Sequence, residues 1–118
     1  MKQYRFCFDL DGTLCYTKKK DEEYIDVKPI PGAIETLQQL KEQGHYIIIM
    51  TARNMLTYNN NLGKIIAHQA PIVIEWLNKH RIPYDELHFG KPLADFYVDD
   101  KAVKLENWET FRKTLEKL

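Results

Sequence analysis

The chain has 118 residues, 44% of them hydrophobic, and its 17 basic and 17 acidic side chains cancel to a formal net charge of zero. That length suits one domain over 1–118 and excludes a catalytic domain with a separate lid domain. Balanced charge argues against a nucleic-acid partner, two cysteines exclude a disulfide framework or a zinc cluster, and no stretch approaches the roughly 18 apolar residues of a membrane span.

Tyr4 to Asp9 reads as a buried strand, with Cys7 as a packed thiol inside it. Asp9 breaks this apolar run too early for a signal peptide, and two free cysteines fit a reducing, cytoplasmic setting. Residues 12–30 form a polar segment with weak strand character around Tyr24-Ile25-Asp26-Val27, read as a small flap. Pro31-Gly32 opens a helix with Ala33, Ile34, Leu37 and Leu40 on one face, stopped by Gly44. His45 to Met50 carries Ile47-Ile48-Ile49, the continuous apolar run of a central parallel strand. Thr51 to His68 reads as a long polar connection of the kind that carries function. A second helix is expected at about 69–80, with Pro71 in its first turn. Leu87-His88-Phe89 and Asp95 to Val98 read as two further short strands. Asn107 caps a last helix with Trp108, Phe111, Leu115 and Leu118 on one stripe.

Strands alternating with helices predict an α/β fold: one doubly wound, three-layer α/β/α Rossmann-like domain around a parallel sheet, essentially capless. In such sheets ligands bind beyond the carboxyl ends of the strands. The rule selects Asp9 and Asp11, then Thr51, then Gly90-Lys91, then Asp99-Asp100. Asp9 and Asp11 are two apart, so an extended chain points both the same way. Like charges that close repel unless a cation lies between them or one is protonated, and paired carboxylates suit Mg²⁺.

Asp9-x-Asp11-Gly12-Thr13-Leu14, a Thr51 ending an apolar strand, Lys91 in Gly90-Lys91-Pro92 and the acidic pair after Tyr97-Val98 together resemble the four motifs of the haloacid dehalogenase superfamily of phosphotransferases. Thr51-Ala52-Arg53-Asn54-Met55, Pro71 to Trp76 and Phe89 to Pro92 are similar to small bacterial phosphatases linked to capsule polysaccharide biosynthesis. The resemblance implies a Mg²⁺-dependent phosphatase that works through an aspartyl-phosphate, with a small phosphorylated metabolite, foremost a sugar phosphate, as substrate.

On that resemblance Asp9 is the nucleophile, and Asp11 protonates the departing alkoxide and then deprotonates water. Thr51 and Lys91 hold the phosphoryl group. Asp9, the Asp11 carbonyl and Asp100 ligate the metal, with Asp99 acting from outside the ligand shell. Gly12 permits the turn that brings backbone N–H groups to the phosphate. Arg53 and Asn54 either reach the substrate or lie solvated. With no cap, the site either admits a macromolecular phosphate or is covered by a neighbouring subunit of a homo-oligomer. A phospho-accepting receiver module is the non-enzymatic alternative. It would need an aspartate where this chain has Thr51.

Overall fold

The computed structural model describes residues 2–118. Three strands, β1 (Arg5–Asp9), β2 (Tyr46–Thr51) and β3 (Glu86–Phe89), form a parallel sheet in the order β1-β2-β3. The register sets Arg5 beside Tyr46 and Asp9 beside Met50, then Ile48 beside Glu86 and Thr51 beside Phe89. Three helices accompany it: α1 (Ala33–Glu42), α2 (Leu62–Lys79) and α3 (Trp108–Glu116). The α/β class and the parallel Rossmann-like sheet are as the sequence implies.

Two successive crossovers in one direction, with the right hand such connections take, put α1 and α2 on the same side of the sheet. Burial agrees with this. Phe8, Ile47 and Ile49 form one core with Leu37 and Leu40 of α1, Val73, Trp76 and Leu77 of α2, and Trp108 of α3. The alternate residues lie differently: Cys7 is exposed, and Ile48 and Met50 are only half-buried. The expectation of helices on both faces is thus narrowed to one well-covered face among the described residues. Cys7 is corrected from a packed thiol to an exposed one, its Sγ 3.3 Å from Met50 Sδ.

The second helix starts earlier than expected. Asn61 caps it by accepting a hydrogen bond from the Lys64 N–H at 3.3 Å, so α2 runs from Leu62 and Pro71 lies inside it. The connection before it shrinks to 52–61, where Asn54, Asn59 and Asn60 all adopt positive φ. Asparagine tolerates that conformation better than most residues, which accounts for the run. The 12–30 flap contains a 3₁₀ turn at Tyr24–Asp26 rather than a strand. Its base is closed by an antiparallel bridge between Cys15 and Pro29. Trp76 Nε1 ties it to α2 through the Val27 carbonyl at 2.8 Å.

The expected fourth strand is absent: residues 91–99 form no strand, and Phe96 and Val98 are 86% and 98% exposed. Chain length supplies the reason. A parallel strand needs a crossover of about a dozen residues or more, and only residues 90–94 separate Phe89 from Asp95.

Gly32, the N-cap of α1, has φ +95°, and a Cβ there would lie 2.8 Å from Trp108 Cβ. Gly32→Ala therefore combines a left-handed strain with a clash against α3. Urea unfolding is expected to show a loss of about 2–3 kcal/mol.

Candidate active site

Asp9 ends β1, and the chain turns at once. Gly12 takes φ +79°, which the tight turn requires; a Cβ there would meet nothing, so conformation alone selects glycine. The backbone donors of this turn are spent internally: the Gly12 N–H on the Cys15 carbonyl at 2.8 Å, the Leu14 N–H on the Leu10 carbonyl at 2.8 Å. The expectation that the Gly12 turn offers N–H groups to a phosphate is corrected for these two. Gly12 shapes the turn that holds Asp11.

Asp9 faces Lys91, whose Nζ is 3.5 Å from Asp9 Oδ2. Burial pushes the Asp9 carboxyl above the ordinary carboxylate value, and Lys91 pulls it only partly back. Lys91 is fixed at both ends. Its N–H donates to the Thr51 carbonyl at 3.1 Å, and its ammonium lies 4.0 Å from the centre of the Tyr97 ring. β2 thereby delivers Thr51 beside Lys91. Thr51 is buried, and its Oγ1 accepts the Arg53 N–H at 3.1 Å, which leaves the hydroxyl proton free to donate.

Arg53 departs from the solvated reading. Its side chain is 2% exposed and grips Asp11 with two donors, Nε to Oδ2 at 2.9 Å and Nη2 to Oδ1 at 2.9 Å. The guanidinium also reaches Gln69 Oε1 at 3.5 Å and has the Tyr24 ring stacked 4.4 Å away. Burial works against its charge, but the hydrogen bonds and charge of Asp11 outweigh this and hold the proton more firmly. Solvation does not describe it: Arg53 lines the cleft and positions Asp11. Such two-pronged pairing fixes direction as well as distance. Cys15 completes the packing, its Sγ 3.4 Å from Asp11 Oδ1; burial, then the charge of Asp11, pushes the thiol up to about 12.

Asn54 faces the same cleft and accepts a hydrogen bond from Gln69 Nε2 at 2.6 Å. Gln69 is fully buried and bridges Asn54 and Arg53. Sequence reasoning missed it, although a signal existed. Ile65, Gln69, Val73 and Trp76 share one helical face, and a glutamine at a core position demands a polar partner. The cleft itself, about 330 Å³, lies between Asp9, Asp11 and Lys91 and walls made by Tyr24, Met55, Leu56, Leu93 and Tyr97.

Asp9, Asp11, Thr51, Arg53, Asn54 and Lys91 are thus brought to one sheet edge. Asp99 and Asp100 are not: both are exposed and neither lines the cleft. Among the described residues no three His, Cys, Asp or Glu side chains gather closely enough to hold a metal ion. The oxygen donors are of the type Mg²⁺ prefers, but one chain supplies only two carboxylates, each facing a cation of its own.

A parallel sheet with an aspartate after its first strand, a second aspartate two residues on, a hydroxyl after the next strand and a lysine after the last is the arrangement of the haloacid dehalogenase superfamily. The family model described as "5' nucleotidase, deoxy (Pyrimidine), cytosolic type C protein" matches residues 9–117, and the chain belongs to that family.

Among curated relatives, a protein of Chlorobaculum tepidum described as a candidate 5'(3')-deoxyribonucleotidase is 34% identical over 67% of this chain and 38% of its own length. A candidate nucleotidase of Oceanobacillus iheyensis is 31% identical over 92% of this chain and 57% of its own. The chain therefore spans roughly two fifths to three fifths of these relatives. A solved structure from Vibrio cholerae, 42% identical, superposes with a TM-score of 0.80 over 98% of both chains. No described helix is long and apolar enough to cross a membrane.

Proposed function

We propose that the protein is a Mg²⁺-dependent phosphomonoesterase acting on a nucleoside monophosphate. The observation that carries this reading is the Asp9–Lys91 pair at the mouth of a cleft with aromatic and apolar walls. The charged end suits a phosphoryl group, and Tyr24, Tyr97, Met55 and Leu56 offer the flat, greasy surface a base requires. A bare sugar phosphate, expected from the capsule resemblance, makes less use of those walls. The nucleotidase names of the relatives favour the same choice.

In this reading the Asp9 carboxylate attacks phosphorus and forms an aspartyl-phosphate, splitting one hard displacement into two easier ones. Lys91 draws Asp9 and the phosphoryl oxygens together by charge, and the Thr51 hydroxyl donates to one of those oxygens. Asp11, aimed by Arg53, passes a proton to the departing oxygen and takes one from the water that frees the phosphate. Asp9 and the Asp11 carbonyl are the protein groups that would hold Mg²⁺, which when bound neutralises charge on the transferring group.

The test is release of inorganic phosphate from ribo- and deoxyribonucleoside monophosphates, hexose phosphates and phosphopeptides, with Mg²⁺ and with EDTA. Turnover of nucleotides, lost in EDTA and restored by Mg²⁺, is expected. Turnover confined to hexose phosphates or to phosphopeptides would overturn the substrate assignment.

A further inference from the structure

The arm that leaves β3 and the bare edge of β1 pose complementary problems. Among the described residues β1 pairs on one side only, with β2. An unpaired strand edge is a template for another strand. The arm over 93–103 exposes Leu93, Phe96, Tyr97, Val98 and Val103, a density of apolar surface that marks an interaction site. The radius of gyration, 14.5 Å, exceeds the roughly 13.5 Å expected of a chain this long, as an outstretched arm would make it.

The arm cannot reach its own β1 edge as a parallel strand. From the end of β3 to the start of a strand beyond β1 is three spacings of about 4.8 Å across and about 15 Å down, or roughly 20 Å in a straight line. Residues 90–94, fully extended, span roughly 20 Å between their flanking Cα atoms, and the sheet itself blocks the straight path. Run antiparallel, the segment would carry Asp99 and Asp100 to the wrong end of the sheet.

A second copy has no such restriction. A register that sets Asp95 of one chain beside Arg5 of the other pairs opposite charges. It also sets Phe96 and Val98 beside Phe6 and Phe8, and brings Asp99 and Asp100 level with Asp9 and Leu10, next to Asp11.

We propose that two copies exchange this arm, each adding residues 95–98 to the free β1 edge of the other, so that Asp99 and Asp100 complete the site of the partner molecule. The part concerning the site rests on the phosphatase reading above. The exchange accounts for the missing third carboxylate, and it joins two sites across one two-fold axis. It also places acidic groups beside Asp9, where a divalent cation is needed to offset their repulsion.

Mixed variants decide it. Asp9→Asn and Asp100→Asn are each expected to be inactive alone. Refolded together in equal amounts, they are expected to recover about a quarter of wild-type activity, because half the dimers are mixed and each mixed dimer holds one intact site. No recovery, with an active wild type, overturns the shared site.

Mass by light scattering gives a readout independent of activity. The wild-type chain is expected to be a dimer. The double variant Phe96→Asp with Val98→Asp, altered only at exposed positions, is expected to be a folded monomer by circular dichroism. A monomeric wild type, or a double variant that stays dimeric, overturns the exchange. If the wild type hydrolyses no phosphate ester, the functional reading fails while the two masses still decide whether the arm docks on a second copy.

Discussion

Asp9→Asn is expected to abolish phosphate release, by roughly four orders of magnitude or more, while raising the melting temperature of the metal-free protein at neutral pH. The first effect follows from the proposed role of Asp9 as nucleophile, because the neutral amide that replaces its carboxylate attacks phosphorus poorly. The second follows from burial. The folded Asp9 carboxyl binds its proton more tightly than an ordinary carboxyl does. The stability this lends is complete below the ordinary carboxylate value and is lost as pH rises through the higher folded value. At neutral pH the native side chain must hold its charge in a half-dry pocket, and asparagine has the same shape without that burden. Lys91 loses an anionic partner but keeps the Tyr97 ring at 4.0 Å. Calorimetry should find the variant's advantage small near about pH 4 and larger at about pH 7. A variant less stable than wild type at neutral pH would show that the Asp9–Lys91 attraction outweighs desolvation.

Arg53→Met is expected to cost both stability and turnover. Removing one member of a buried ion pair costs about 3–5 kcal/mol. Asp11 is still 26% exposed on its side chain, so water recovers part of that, and a loss of about 2–3 kcal/mol is expected. Because Arg53 acts through Asp11, kcat is expected to fall about 100-fold or more with little change in KM. Arg53→Lys tests the geometry separately. It keeps the charge but loses the fork, so it should restore most of the stability and little of the rate. A large rise in KM with kcat intact would make Arg53 a substrate contact after all.

Much of this site is legible in the residues alone. Asp9 and Asp11 after an apolar run, Thr51 after Ile47-Ile48-Ile49, and Lys91 after Phe89 lie at strand ends because parallel strands of this length leave no other place for polar residues. The helix face Ala33, Leu37, Leu40 is equally plain. What failed did so for identifiable reasons. The polar start of α2 hides its amphipathic pattern, and Pro71 suggested a first turn when it occupies an interior one. The segment Asp95 to Val98 has the composition of a strand, but composition says nothing about whether the connection before it is long enough to reach an edge. Arg53, read as either a substrate contact or a solvated charge, is held inward by a partner 42 positions earlier, a relation that only the closed fold brings about.

Pro71 has a further consequence. Without an N–H it leaves the carbonyl of Ala67 short of its helical partner, although α2 runs unbroken from Leu62 to Lys79. Beyond Pro71 the helix is anchored by Val73, Trp76 and Leu77 in the core, and before it Gln69 braces Asn54 and Arg53, so the missing hydrogen bond falls between the anchor and the brace.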